Sequence, residues 1–327
     1  MKEASKGRRL WSWILAVPLA AVLLYFALRG VDWGRVWQTI AGAQWRYLAA
    51  AALCSCFSYF LRSLRWRILL NAEERLSVGA VFCATMAGYL GNSFLPARAG
   101  ELVRTLFVSS RSSLSKTYVL TTALSERLSD VIALVLWSSI ILIGVQPKPA
   151  WMNDVSRTTA TVAALGALII AVLPHTGGLC RNLIERLPMP SALRPRLLHL
   201  VDQVLLGMRA FHHVGRFAGF ASLTLAIWVS DTCSTMIGAY GLGIHLSFSH
   251  AMLLLTGMGL GSALPSTPGY VGIYQFVAVT VLVPFGISRD AALAFILVAQ
   301  ALSYVVVLTL GLPSLYILRH PQSRERQ

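Results

Sequence analysis

Charged side chains gather where an otherwise apolar chain is interrupted. Arg98, Glu101 and Arg104 follow one another at steps of three, directly after a break at Asn92 to Pro96. On a helix that spacing makes one charged stripe. Glu126, Arg127 and Asp130 come soon after, with Glu126 and Asp130 four apart and so on one helical face. Two chemistries suit the set. Arginine donates two parallel bonds to one phosphate edge, so Arg98 and Arg104 suit a charged headgroup, with Glu101, Glu126 and Asp130 balancing them or carrying protons. The other reading is that these groups pair among themselves and hold helices together. Asp231, surrounded by Ser230, Thr232, Ser234 and Thr235, reads either as the partner of a buried arginine or as a cavity group. Gln275 and Gln300 are neutral amides suited to hydrogen bonds between helices. The candidate substrate-binding set is therefore Asn92, Arg98, Glu101, Arg104, Glu126, Arg127, Asp130, Gln275 and Gln300.

These charges are costly where they stand. Of the 327 residues 56% are hydrophobic and only 13% charged, against about 25% charged in a soluble globular chain. Several apolar runs reach the roughly 20 residues that cross a bilayer core. A charge inside such a layer costs from about 2.5 kcal/mol upward, so it normally faces a partner or a cavity. The formal charge of +15 comes from 28 Lys and Arg against 13 Asp and Glu. The basic residues sit in short loops between apolar runs, which points to lipid headgroups and membrane orientation and away from nucleic acid.

Conventional enzyme signatures are missing from the sequence. There is no GxxxxGK[ST] loop, no HExxH helix and no GxSxG elbow. The longest hydrophilic stretch, about 175–216, is too short for a soluble catalytic domain. Cys54, Cys56, Cys83, Cys180 and Cys233 form no CxxC pair and read as small core residues. His175, His199, His212, His213 and His250 lie without ligand-like spacing and read as solvated. No metal, cofactor or catalytic residue is expected.

The elements that must position the charges follow from the apolar runs and the basic clusters. Arg62, Arg65, Arg67 and Arg75 read as one cytoplasmic loop, the stretch 175–216 as a second, and Arg319, Arg324 and Arg326 as a cytoplasmic tail. The N-terminus, with Lys2, Lys6, Arg8 and Arg9, reads as cytoplasmic and followed by an uncleaved span. Trp33, Trp37, Trp45 and Trp151 fit an interfacial aromatic belt on the outer side. Six spans result, at about 12–28, 45–61, 115–145, 158–174, 217–241 and 290–318.

Two further segments, about 77–111 and 249–286, have both flanks on one side. Each breaks in the middle, and the breaks match. The first carries Leu90-Gly91, Leu95-Pro96 and Gly100; the second carries Leu260-Gly261, Leu264-Pro265 and Gly269. Both are predicted to be re-entrant hairpins, broken by Pro96, Gly100, Pro265, Pro268 and Gly269. The first enters from inside and the second from outside. The expected fold is a single all-α polytopic membrane domain over 1–327, with inverted units at about 45–145 and 217–318. Paired broken helices of this kind point to a transport site near the midplane.

Arg65-Trp66-Arg67, Asn92-x-x-Leu-Pro96-Ala-Arg98-Ala-Gly100-Glu101-x-x-Arg104 and Glu126-Arg127-x-x-Asp130 resemble the lysylphosphatidylglycerol synthase transmembrane, or flippase-like, family. Pro265-x-x-Pro268-Gly269-x-x-Gly272 resembles its second motif. The resemblance runs from about residue 12 to 318. It implies a membrane domain that moves lipids or lipid-linked headgroups between leaflets. In the full-length aminoacyl-lipid synthases a cytoplasmic catalytic domain follows; none is present here, so aminoacyl transfer is not expected. Many members carry Glu at the place of Gln275 and Arg at the place of Gln300, which puts a coupling role for the second unit in doubt. The expected function is flipping of an anionic phospholipid or polyprenyl-phosphate-linked lipid across the cytoplasmic (inner) membrane. The competing readings are a non-transporting partner subunit of a lipid-modifying enzyme and an integral-membrane lipid-phosphate enzyme. The expected partners are the bilayer and its lipids.

Overall fold

The computed structural model describes residues 17–95, 99–144, 213–262, 264 and 267–319, with isolated positions between 154 and 202. The described elements are all helical. Helix α1 (Val17–Leu28) meets α2 (Trp33–Ala41) at 86°. Asp32 starts α2 by accepting from the backbone N–H groups of Gly34 and Arg35. Val36 is buried while Trp33 and Trp37, one turn apart, stand exposed, as on a helix lying at a membrane interface. Arg289 donates to the carbonyls of Phe26 and Arg29 at 3.0 and 2.8 Å and so caps the end of α1.

The first unit comprises α3 (Trp45–Leu70), α4 (Val78–Phe94), α5 (Gly100–Ser109) and α6 (Lys116–Gly144). The second comprises α7 (Val214–Tyr240), α8 (Phe248–Gly261), a 3-10 turn at Pro268–Tyr270, α9 (Ile273–Leu282), a 3-10 turn at Val283–Phe285, and α10 (Arg289–Arg319). Helices α3, α7 and α10 are long and apolar enough to cross a membrane, and α1 with α2 makes a fourth span if that bent pair is counted as one. Helix α6 has 29 residues, enough length to cross, and carries Glu126, Arg127 and Asp130 in its first half. The expected span at 158–174 and the loop at 175–216 lie almost wholly outside the described residues, as do Trp151 and the chain before Val17.

One element differs from expectation. Helix α3 runs on to Leu70, so Arg62, Arg65 and Arg67 lie on a helix and not in a loop. Arg62 and Arg65 are buried, as are Trp66, Leu69 and Leu70. The apolar side of the helix simply continues past the first arginine. His250 also departs from the solvated reading: it lies in α8 and stacks on Phe285 with ring centroids 4.4 Å apart. Cys54, Cys56 and Cys83 are half-buried and Cys233 is exposed, so these four are not core residues.

Both hairpins close on themselves. At one end of the molecule Glu74 accepts from the backbone N–H and the hydroxyl of Ser113 at 2.8 and 2.6 Å, joining the two flanks of the α4–α5 hairpin. The Tyr118 hydroxyl donates to the Leu69 carbonyl at 2.8 Å, and Arg111 donates to the Leu318 carbonyl, so the end of α3, the start of α6 and the end of α10 share that end. At the opposite end the His250–Phe285 stack joins the flanks of the α8–α9 hairpin. There the Gln44 N–H donates to the Gly241 carbonyl at 2.8 Å, and the Asp32 N–H donates to Asp290 at 2.9 Å.

The two units are related by a pseudo-two-fold. Helix α4 packs on α10 as α8 packs on α6, and α5 meets α6 as α9 meets α10. Helices α3 and α7 pair along their length, and they run antiparallel. Gln44 meets Gly241, Ser55 meets Ser234 at 3.0 Å, and Arg65 meets Thr224 at 3.1 Å. Equivalent helices that meet antiparallel require an axis perpendicular to them, which is what inverted units demand. Arg62 and Asp231 lie 169 residues apart, and so do Ser55 and Thr224, and Arg65 and Ser234. The Ser55–Ser234 and Arg65–Thr224 contacts are thus each other's images.

Candidate functional site

The hairpin tips are built by close approach. Gly100 opens α5 against α4, and a Cβ there would overlap the Gly88 carbonyl oxygen and the Asn92 side chain. Asn92 Oδ1 accepts from the Gly100 N–H at 2.9 Å, and Asn92 Nδ2 donates to Glu101 at 3.5 Å. At the second tip Pro268 starts the 3-10 turn and Gly269 has φ +70°, where a Cβ would strike the Tyr304 hydroxyl. Gln275 accepts from the Gly272 N–H at 2.7 Å and donates to Gln300 at 2.5 Å; Gln300 donates to the Gly269 carbonyl at 2.9 Å. Pro96, Arg98 and Pro265 lie outside the described residues.

Behind the first tip lies a closed set of ion pairs. Arg65, fully buried, grips Asp130 through two bonds of 2.6 and 2.9 Å and reaches Glu126 at 2.9 Å. Glu126 offers its other oxygen to Arg104 at 2.9 Å, and Arg104 also pairs with Glu101 at 2.5 Å. Glu101 accepts from Arg127 Nε at 2.8 Å. Arg62 spans the two units, 3.6 Å from Asp130 and 2.5 Å from Asp231. Four arginines and four carboxylates therefore neutralise one another. Their guanidinium planes rest on rings: Arg104 on Trp66 at 4.5 Å, Arg65 on Phe220 at 5.1 Å, Arg62 on Trp228 at 5.1 Å, and Arg127 on Tyr89 at 5.4 Å. Charges this deep are tolerable because each has a partner within hydrogen-bonding reach.

In front of the network, where the tips converge, is a cavity of about 340 Å³. Its first wall carries Arg62, Asn92, Glu101, Arg127 and Asp130 from unit one; the facing wall carries Asp231, Tyr270, Tyr274, Gln300 and Tyr304 from unit two. Of the candidate set, Asn92, Glu101, Arg127, Asp130 and Gln300 border this space. Arg104, Glu126 and Gln275 do not, and each is nearly fully buried behind it. Arg127 is the arginine of the network with the most open side chain, at 27% exposure against 9% for Arg62 and 3% for Arg104. It is the twelfth residue of α6, and Gln300 is the twelfth of α10. The Gln275–Gln300 pair is thus the uncharged counterpart of Glu101–Arg127.

Sequence reading did not place Arg62, Arg65 or the tyrosines here. A usable signal was present for the arginines. Arg62, Arg65, Trp66 and Leu69 recur at steps of three and four, a helical face and not a loop.

Residues 13–311 match the family model described as the lysylphosphatidylglycerol synthase TM region. The chain is 24% identical to the glycosyltransferase AglD of Haloferax volcanii, across 92% of its own length and 53% of that protein's. It therefore spans about half of that relative. It is 21% identical to a UPF0104 membrane protein of Methanothermobacter thermautotrophicus, across 91% of both chains. With a family model matching nearly end to end, and with Asn92, Glu101, Arg127 and Asp130 of the first motifs facing Gly269 of the second across one cavity, this chain is a multi-pass membrane protein of the lysylphosphatidylglycerol synthase transmembrane family.

Proposed function

We propose that the protein moves an anionic phospholipid, or a lipid linked to a polyprenyl phosphate, between the leaflets of the cytoplasmic membrane. The observation that carries this reading is the cavity between two oppositely entering hairpin tips, backed by paired buried charges. Broken helices at the interface of inverted units are where transporters hold their cargo. Arg127 offers donors at the cavity surface, and Arg98 follows the same break in sequence. Together they are the phosphate-holding pair, while Arg104 supports them through Glu101 and Glu126. The protein acts without catalysis. Its N- and C-termini lie in the cytoplasm, on the side of the basic clusters.

The test is purified protein in liposomes, with protein melting and leaflet exchange of fluorescent anionic lipids measured together. Arg127→Gln and Arg98→Lys should fold nearly normally and slow exchange about ten- to hundredfold, the cost of one charge-assisted contact. Arg104→Gln should instead lower the melting temperature. Normal exchange by well-folded Arg127→Gln and Arg98→Lys proteins would overturn the phosphate-holding role.

A further inference from the structure

The two cavity walls differ in chemistry. Unit one supplies the ionic groups Arg62, Glu101, Arg127 and Asp130, with Tyr59, Tyr89, Asn92 and Ser93 beside them. Apart from Asp231, which is held by Arg62 at 2.5 Å, unit two supplies rings, hydroxyls and amides. Tyr270 and Tyr274 stack there with centroids 4.9 Å apart and planes 15° from parallel. Tyr304, Ser303 and Gln300 stand beside them along the cavity wall. The place where charge would be expected by symmetry, opposite Glu101–Arg127, holds the neutral Gln275–Gln300 pair.

Tyr270 is held in a strained backbone. Its φ is +60°, the only positive value at a non-glycine residue among those described. A bulky residue in the left-handed region is rare, and such strain persists where surrounding structure enforces it. Here Gly269 and Gly272, with φ of +70° and +88°, flank it and make the turn. The turn sets an aromatic ring on the cavity wall.

A bare phosphate draws its charge-assisted contacts from unit one alone. A lone anion also meets Glu101, Asp130 and Asp231, and it can take hydroxyl donors from the tyrosines but makes no use of their ring faces. A hexose-type ring uses the opposite wall: its C–H faces lie on aromatic rings, and its hydroxyls donate to and accept from hydroxyls and amides and donate to carboxylates. We infer that the cargo headgroup is a phosphate ester of a ring polyol, with its phosphate toward Arg127 and its ring on the Tyr270–Tyr274 platform. This rests on the reading of the cavity as a lipid-headgroup site.

The experiment compares four lipids on the purified protein by native mass spectrometry and thermal shift. They are a short-chain polyprenyl-phosphoryl hexose, phosphatidylinositol, the bare short-chain polyprenyl phosphate, and phosphatidylglycerol. At least one ring-bearing lipid should bind about tenfold more tightly than its ring-free counterpart, and which one does so identifies the anchor. Tyr270→Gly, whose backbone suits a positive φ, and Tyr274→Leu should erase that preference while still binding polyprenyl phosphate. Tyr270→Phe keeps the ring and should keep the preference. Equal binding of all four lipids would overturn the ring-polyol assignment and leave the lipid-translocation reading standing. Binding of none would overturn both. If the tyrosine variants do not fold, the wild-type comparison decides alone.

Discussion

Glu126 is the residue on which the buried network turns. One of its oxygens meets Arg65 and the other Arg104, both at 2.9 Å, and neither arginine has significant exposure. Glu126→Gln keeps the shape and leaves two buried guanidinium groups short of a counter-charge. Breaking a buried pair in this way costs about 3–5 kcal/mol. Arg127→Gln should cost far less, because Arg127 is part-exposed and Arg104 still holds Glu101. Melting curves in detergent check the ranking; equal melting of the two variants would contradict it. The sequence already put Glu126 and Asp130 on one face, since a spacing of four leaves little choice on a helix. Their partners were hidden by a different rule. An arginine at the end of an apolar run is ordinarily a loop residue, and only the ion pairs to α6 show why Arg62 and Arg65 are inside. Within the stripe Arg104 pairs with Glu101 and Glu126 behind the cavity, and it is Arg127, outside the stripe, that reaches the cavity.

At the scale of elements, the hairpins were legible because charge places both flanks on one side and because the two breaks share Leu-Gly, Leu-Pro and Gly. A third match went unread. Leu76-Ser77 and Leu246-Ser247 precede equivalent helices, and each serine accepts from a backbone N–H three residues on at 3.2 Å. The pairing of α3 with α7 was not legible, because Asp231 and its neighbouring hydroxyls ask for a polar partner without saying on which helix it lies. That pair has the character of a fixed axis, tied by Arg62–Asp231, Arg65–Thr224 and Ser55–Ser234. The contact between α4 and α10 is the one a moving hairpin must slide on; a Cβ at Gly311 would stand 3.0 Å from the Leu90 Cβ. In a cysteine-free background, a Ser55→Cys, Ser234→Cys disulfide should leave lipid exchange intact. A Leu90→Cys, Gly311→Cys disulfide should block it until reduced. The Ser55 and Ser234 hydroxyls already approach to 3.0 Å, as would the Leu90 Cβ and a Cβ at Gly311, so the two thiols of each pair would be within reach of each other. The reverse pattern would make the hairpin the static part and α3–α7 the moving one.

The whole molecule has two chemically distinct ends, and its orientation follows from them. One end gathers the flanks of the first hairpin, the end of α3, the start of α6 and the end of α10, with Arg67, Arg75, Arg111 and Lys116 among them. The stretch 175–216, with Arg181, Arg186, Arg194, Arg196, Arg209 and Arg216, joins α7 just after its start at Val214. The Phe220 side of α7 packs on Leu69, so that basic stretch is attached at the same end. The other end has Trp33, Trp37 and Trp45 exposed and carries both flanks of the second hairpin. It carries Arg29, Arg35, Arg46 and Arg289 with Asp32 and Asp290 among them, a balance like that of the first end without its basic stretch at 175–216. Because the positive-inside bias is set by Lys and Arg in short loops near the spans, the first end is expected to face the cytoplasm. Single cysteines at Ser110, which is exposed, and Ser249, which is half-buried, test this, since they lie on hairpins of opposite entry. In right-side-out vesicles an impermeant maleimide should label Ser249→Cys and spare Ser110→Cys; in inverted vesicles the pattern should reverse. Labelling of both from one side would break the inverted relation between the units. A clean swap of the two patterns would keep the fold and turn the molecule over.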